Sequence, residues 1–125
     1  MHTSGIIHRD LKPENILVEV NNLTNEVTQI KISDFGLSKI TIPGEIMFDA
    51  CGTPAYVAPE VLQKNGYTKE VDIWATGVIL YTMLGRCLPF HSTDRKQTFK
   101  MIKEAKPDFS DPIWSKTSEI CIDLI

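Results

Sequence analysis

The longest apolar stretch of the chain, residues 73–84, predicts a buried helix. It is about twelve residues long, whereas a helix that spans a membrane needs roughly twenty. Its apolar residues fall on every side of a helix, which is typical of a helix at the centre of a larger domain. Gly85 follows the stretch directly, and we expect this glycine to end the helix.

Two short strands are predicted ahead of that helix. β-Branched residues favour strands at Ile16–Val20 and at 29–32, and the polar residues 21–26 (NNLTNE) between them favour a surface hairpin. Residues 37–58 show little periodicity and predict a long loop, which in a compact domain is usually functional or mobile. Pro59 then suits the first turn of a short helix.

Two further helices are expected after the apolar one. Ser92 or Thr93 is a candidate N-cap for a helix that continues to about Ala105, and a last helix is predicted to begin near Ser115 or Thr117. Both predictions rest on the preference of serine and threonine for the N-cap, where the side-chain oxygen accepts an otherwise unpaired backbone N–H.

The composition of the 125-residue chain is that of a globular domain, with 42% hydrophobic residues, 23% charged residues and a formal net charge of −3. The lack of a basic excess argues against nucleic acid as a partner, and the short apolar runs argue against a membrane. Three cysteines without paired spacing (Cys51, Cys87 and Cys121) favour a reducing location, cytoplasmic or nuclear, over a disulfide framework or zinc site. Cys51 has no basic neighbour in sequence, which favours an inert side chain over a redox-sensitive thiol.

Three short motifs follow one another along the chain. Residues 8–15 read HRDLKPEN, residues 34–36 read DFG and residues 58–60 read APE. With this order and spacing the chain resembles the eukaryotic protein kinase family along essentially its whole length. The resemblance implies an α+β, protein-kinase-like fold, with a mainly α-helical C-terminal lobe and a short β-hairpin. It also implies that residues 1–125 are an incomplete kinase domain without the small N-terminal lobe.

The resemblance assigns the chemistry to four side chains. Phosphoryl transfer from ATP passes through a loose transition state, so the protein mainly positions groups and neutralises charge. Asp10 is expected to orient the substrate hydroxyl and accept its proton, and Lys12 to place a positive charge near the transferring phosphoryl group and so help bind ATP. Asn15 and Asp34 are expected to supply the oxygen ligands that Mg²⁺ prefers. Taken singly, Asp10 could be a helix or turn cap, Lys12 a surface charge and Asn15 a turn residue. The complete motif favours the kinase interpretation.

The substrate class is indicated by Lys12 together with Thr53. In serine/threonine kinases a matching threonine hydroxyl bridges the residues corresponding to Asp10 and Lys12, so the resemblance implies that Ser/Thr hydroxyls of protein substrates are the acceptors. Residues 51–62 (CGTPAYVAPEVL) most resemble the calmodulin-dependent kinase group, including checkpoint-kinase-like members.

The same resemblance gives structural or regulatory roles to the other motif residues: His8, Arg9, Phe35, Gly36, Glu60 and Asp72. Asp72 is either a charge favourably placed near a helix N-terminus or, as the family implies, the residue that holds the catalytic loop by its backbone; the second is favoured because a buried carboxylate needs donors. Phe35 is either an exposed loop aromatic or, as in the family, part of a core that connects the two lobes. An arginine partner for Glu60 is expected beyond Ile125.

Asp49 is a candidate regulatory residue. In kinases whose catalytic aspartate follows an arginine, as Asp10 follows Arg9, a phosphate on the activation loop usually neutralises that arginine. Residues 42–52 contain no serine, threonine or tyrosine, and Asp49 stands where the phosphate is normally carried. Asp49, helped by Glu45, is therefore expected to be a permanent negative partner of Arg9; the alternative is a solvated loop charge.

Two functional hypotheses of different classes follow. The first is a serine/threonine kinase that needs the missing N-terminal lobe as a partner to complete its ATP site, so that the chain alone is expected to be inactive. The second is a truncated, non-catalytic binding module that competes for kinase partners or substrates. A pseudokinase scaffold is disfavoured because Asp10, Lys12, Asn15 and Asp34 are all present.

Overall fold

The computed structural model describes residues 1–125 as four helices and four short strands. The elements are β1 (Ile6–Ile7), β2 (Ile16–Val20), β3 (Val27–Ile32), β4 (Lys39–Ile40), α1 (Pro59–Gln63), α2 (Glu70–Gly85), α3 (Arg95–Glu104) and α4 (Glu119–Leu124). β1 pairs with β4 and β2 with β3, both antiparallel. None of the helices combines the length and the apolar character needed to cross a bilayer. The predicted α+β architecture, mainly helical with a short hairpin, is confirmed.

The β2–β3 hairpin sets the geometry at its own base. Its register pairs Ile16 with Ile32, and β3 begins at Val27, two residues earlier than predicted. Below this first pair, the Asn15 carbonyl accepts the backbone N–H of Ser33 at 2.9 Å and also the Ser33 hydroxyl at 3.1 Å. The residues immediately before β2 and immediately after β3 are therefore held side by side.

The prediction of one long loop at residues 37–58 is wrong at its start. Leu37 ends a 3₁₀ turn, and the next residues form β4, where Ile40 pairs with Ile6. Later in the loop, Met47 forms an isolated bridge with Tyr67. Pairings only one or two residues long leave no period-2 pattern in the sequence, which is why the prediction missed them.

Helix α2 contains the predicted apolar stretch, but the prediction of a helix buried on every side is wrong, because Ile73 and Met83 are 64% and 71% exposed. Its other face organises the core. It contributes Val71 to one buried cluster and Ala75 and Ile79 to another. Leu11, in the HRD motif, packs in the second of these clusters. The segment that carries the motif therefore rests directly on α2.

Gly85 does not have the predicted capping role. It is the last residue of α2, and Arg86 adopts the left-handed conformation that ends the helix, with φ of 59°. A Cβ atom at Gly85 would lie 2.6 Å from Cζ2 of the buried Trp114. The glycine is thus required by the close approach of the indole ring.

The N-caps of the last two helices also differ from the prediction. Asp94 caps α3 by accepting the backbone N–H of Lys96 at 2.9 Å, in place of Ser92 or Thr93. The Ser92 hydroxyl instead accepts the N–H of Asp94, in the turn that precedes the helix. α4 begins after Ser118, slightly later than predicted, because a 3₁₀ turn comes before it.

We expect Gly85→Ala to lower the free energy of unfolding by about 1–3 kcal/mol, because the added methyl group overlaps Trp114. Gly77→Ala, in the same helix, is the matched control: its Cβ would meet nothing closer than the Ile125 carbonyl oxygen at 3.2 Å. The higher helix propensity of alanine, worth up to about 1 kcal/mol, offsets this contact, so Gly77→Ala should stay close to the wild-type stability. Urea unfolding followed by tryptophan fluorescence distinguishes the two variants, and equal stabilities would contradict the packing argument.

Candidate active site

Asp72, in the first turn of α2, holds the backbone of residues 8–15, which we call the HRD loop. Its side chain is 2% exposed. Its two oxygens accept the N–H groups of His8 at 2.9 Å and of Arg9 at 2.8 Å, and His2 Nε2 lies 2.7 Å from one of them. Arg9 has a φ of 68°, an unfavourable conformation that a non-glycine residue keeps only where its surroundings enforce it. The two backbone bonds satisfy the buried carboxylate and hold the loop in that shape.

Asp10 lies at the centre of a network with Lys12 and Thr53. Its Oδ1 accepts hydrogen bonds from the amide and the hydroxyl of Thr53, both at 2.7 Å, and its Oδ2 accepts one from Lys12 Nζ at 2.9 Å. Lys12 Nζ also donates to Thr53 Oγ1 at 3.0 Å. Burial favours a higher pKa for Asp10, but the hydrogen bonds from Lys12 and Thr53 outweigh it and lower the pKa below its ordinary value. The carboxylate is therefore ionised at neutral pH and fixed in orientation.

Asn15 and Asp34 place two side-chain oxygens at the base of the hairpin. Asn15 is buried, and its Nδ2 donates to the Asp10 carbonyl at 2.9 Å, which leaves the amide oxygen available. Asp34 follows β3 in a left-handed conformation and accepts one long bond, at 3.3 Å, from the N–H of Gly36. Magnesium prefers such oxygen donors, and its sites often contain only one or two protein ligands besides phosphate and water oxygens. This donor set fits a magnesium ion.

His8 connects the HRD loop to the residues after β3. The ring is fully buried; its Nε2–H donates to the Ser33 carbonyl at 2.9 Å, and its Nδ1 accepts the N–H of Asp10 at 3.3 Å. Phe35 packs edge-on against the ring, with the centroids 5.0 Å apart, yet remains 47% exposed. Phe35 is thus in contact with His8 on one side, and nearly half of its surface is open.

Arg9 joins three segments through its guanidinium group. Its Nε donates to the Leu37 carbonyl at 2.6 Å, and one Nη lies 3.4 Å from the Tyr67 hydroxyl and 3.6 Å from a carboxylate oxygen of Asp49. Burial works against the charge of Arg9, but Tyr67, Cys51 and Asp49 together raise its pKa. The Asp49 side chain is 74% exposed, against 13% for Arg9. The structure brings the expected pair together, with the carboxylate on the solvent side.

Glu45 does not assist Asp49 as expected. It pairs with Lys39 at 2.9 Å and accepts the N–H of Ile42 at 3.2 Å. Both partners belong to β4 and the turn after it, so Glu45 closes that turn and leaves Asp49 as the carboxylate beside Arg9.

Tyr67 and Cys51 are the neighbours of Arg9 that the sequence interpretation missed. The Tyr67 hydroxyl donates to the Asp49 carbonyl at 2.7 Å and lies 3.8 Å from Cys51 Sγ. Tyr67 thus lies between Cys51 and the guanidinium group of Arg9, although no basic residue is close to Cys51 in sequence. No local signal marks either residue, because these contacts join segments that are distant in sequence.

Glu60 lies apart from the network around Asp10. It is in the first turn of α1 and lines a cleft of about 540 Å³ whose other walls come mainly from α2 and the C-terminal residues. It takes part in none of the ion pairs of the chain. The structure thus brings Lys12, Asn15 and Thr53 to Asp10, but not Glu60.

Comparison with known proteins gives one consistent result. The family model for the protein kinase domain matches residues 1–125. Serine/threonine-protein kinase DCLK3 of Homo sapiens is 46% identical over 127 residues, which cover 100% of this chain and 19% of that protein. Probable serine/threonine-protein kinase fhkE of Dictyostelium discoideum is 46% identical (100% and 18% covered), and the liver/testis phosphorylase b kinase gamma catalytic chain of Bos taurus is 45% identical (100% and 31%). The chain spans less than a third of the length of each of these relatives.

We expect Asp72→Asn to destabilise the protein by about 1–3 kcal/mol, because the new NH₂ group would face a backbone N–H instead of accepting from it. The amides of His8 and Arg9 should exchange hydrogen faster, which mass spectrometry of the peptides covering the HRD loop would detect. The exposed Asp123→Asn provides the matched control and should change neither quantity. Unchanged exchange in the Asp72 variant would show that these hydrogen bonds do not hold the loop.

Proposed function

The chain belongs to the protein kinase family, and from this premise we propose that it carries the phosphoryl-transfer site of a serine/threonine protein kinase. The reaction moves the γ-phosphoryl group of ATP to a Ser or Thr hydroxyl of a protein substrate. The network of Asp10, Lys12 and Thr53 is the observation that carries the proposal. We assign the activity to the protein with its N-terminal lobe and expect residues 1–125 alone to be inactive.

Asp10 has the properties that a positioning base requires. An ionised carboxylate offers about four acceptor sites, and three are filled by Lys12 and by the amide and hydroxyl of Thr53. The remaining site can accept the proton of an incoming hydroxyl, in a direction that the other three bonds fix. Lys12, held beside the carboxylate, places its positive charge where the transferring group gains negative charge.

Asn15 and Asp34 are the residues that would hold magnesium. When bound, the ion neutralises phosphate charge as the phosphoryl group transfers. Asn15 is fixed by its bond to the Asp10 carbonyl, so the proposed metal ligand and the proposed base are tied to each other through the same short loop. A displacement of this loop would misplace both groups together.

The position of Thr53 supports Ser/Thr specificity. Its hydroxyl lies between Asp10 and Lys12, as the family resemblance implies for serine/threonine kinases. Residues 51–62 also support our finer proposal, that the protein falls in the calmodulin-dependent kinase group.

In the full-length protein, Asp10→Asn and Asp34→Asn should each lower kcat by at least about a hundredfold, because each removes a positioned charge. Asp34 is exposed, so its variant should change the melting temperature little. Asp10→Asn also turns an NH₂ group towards the donors Lys12 and Thr53 and should lower the melting temperature, but the loss of kcat should be the larger effect. Asp123→Asn, an exposed change of the same kind, should leave kcat at the wild-type value. Phosphate incorporation into a Ser-containing peptide provides the measurement.

Wild-type turnover in either variant would contradict these assignments. A folded full-length protein that binds ATP and magnesium yet transfers no phosphoryl group would favour the alternative of a non-catalytic binding module.

We further propose that Asp49 makes the kinase independent of activation-loop phosphorylation. An ion pair as exposed as this one contributes about 0.2–1 kcal/mol, so Asp49→Asn should lower activity by up to about fivefold through the population of the ordered loop. Asp49→Thr should lose the same amount, and phosphatase treatment of the wild type should change nothing. Glu45→Gln is the matched control, because Glu45 pairs with Lys39. Full activity of Asp49→Asn, or loss of wild-type activity after phosphatase, would refute the proposal.

A further inference from the structure

A separate cleft of about 260 Å³ lies between the loop that follows Asp49 and helix α3. Its lining includes the apolar side chains of Pro54, Val57, Leu62 and Phe99. Three basic residues, Lys64, Arg95 and Lys103, also line it, and all three are exposed. No aspartate or glutamate contributes to the lining. The cleft therefore combines an apolar interior with a purely cationic set of charged groups.

The positive charge of this cleft is available to a ligand. Lys64, Arg95 and Lys103 take part in none of the ion pairs of the chain. The Arg95 guanidinium lies over the Phe99 ring, 5.1 Å from its centroid, and this cation–π contact holds the charge at the cleft. The chain as a whole carries a net charge of −3, so the local charge is opposite to the overall charge. Such a surface is complementary to a carboxylate beside an apolar group.

The cleft adjoins the phosphoryl-transfer network. Gly52 lines it, and a Cβ atom at Gly52 would lie 3.9 Å from Oδ1 of Asp10. The next residue, Thr53, lines an adjacent small cavity that Asp10 also lines. Thr53 donates two hydrogen bonds to the carboxylate of Asp10. An extended peptide advances about 3.3–3.6 Å per residue. A substrate whose hydroxyl points at Asp10 can thus reach the cleft within a few residues.

We propose that this cleft selects protein substrates that carry an acidic residue next to an apolar residue, within a few positions of the acceptor hydroxyl. The apolar side chain enters between Pro54, Val57 and Phe99, and the carboxylate meets Arg95 and Lys103. This selectivity rests on the kinase function proposed above. Because the cationic groups are exposed, they act mainly on the rate of association, and their effect is sensitive to salt.

The test uses full-length protein and synthetic peptides that contain one serine and an apolar residue near it. In separate peptides, Glu, Gln or Lys is placed at each position flanking the serine in turn. At one or more positions we expect the Glu peptide to exceed the Gln peptide in kcat/KM by about three- to tenfold, and the Lys peptide to fall below both. The preference should shrink in about 0.5 M salt.

Variants of the cationic residues make the assignment specific. Arg95→Gln combined with Lys103→Gln should remove the preference for Glu, so that the Glu and Gln peptides give equal kcat/KM. Lys103→Glu should shift the preference towards the Lys peptide. Lys100→Gln is the matched control on the same helix, since Lys100 lies outside the cleft and faces Glu104 at 3.9 Å; it should leave the preference intact.

Peptide binding measured by fluorescence anisotropy separates this proposal from the kinase function. If no peptide is phosphorylated, the kinase function fails, while tighter binding of the Glu peptide that depends on Arg95 and Lys103 still supports the cleft. Equal binding of Glu and Gln peptides at every position overturns the proposal. So does a preference that Lys100→Gln weakens as much as the double variant does.

Discussion

The geometry of the site depends on the hydrogen bonds between the buried carboxylate of Asp72 and the backbone of the HRD loop. A carboxylate that is 2% exposed requires donors, and a left-handed Arg9 requires surroundings that enforce its conformation. The two requirements are met by the same contact. Because Asp72 belongs to α2, the most apolar helix of the chain, the position of Asp10 is set by the core.

From this anchored loop, short polar contacts extend to segments distant in sequence. Thr53 approaches from the long loop, and Ser33 contacts the buried ring of His8 from the end of the hairpin. The polar groups that form these contacts are all paired by hydrogen bonds. Full pairing is the condition under which a buried polar network stiffens a protein instead of destabilising it. The polar site therefore adds to the order that the apolar clusters provide.

The sequence predicted the features that depend on local chemistry. The motif containing Asp10 and Asn15 identified the network, and β-branched residues identified β2 with its correct bounds. Features that depend on tertiary contacts were missed. Position 85 requires glycine because the ring of Trp114 packs against it, and the Tyr67 hydroxyl meets the Asp49 carbonyl only in the folded chain. Such contacts join residues without a shared periodicity, so no window along the sequence contains them.

The hydrogen bonds of Thr53 have a further chemical consequence. The charged Lys12 can only donate, so it occupies a lone pair of the threonine oxygen and directs the single hydroxyl proton towards Asp10. The hydroxyl thus has one permitted orientation, and its oxygen already serves as acceptor and donor. Thr53 therefore sets the position of the ammonium group of Lys12 and of the carboxylate of Asp10 through a single oxygen atom. A polarised chain of this kind holds two opposite charges at a fixed separation by means of one uncharged side chain.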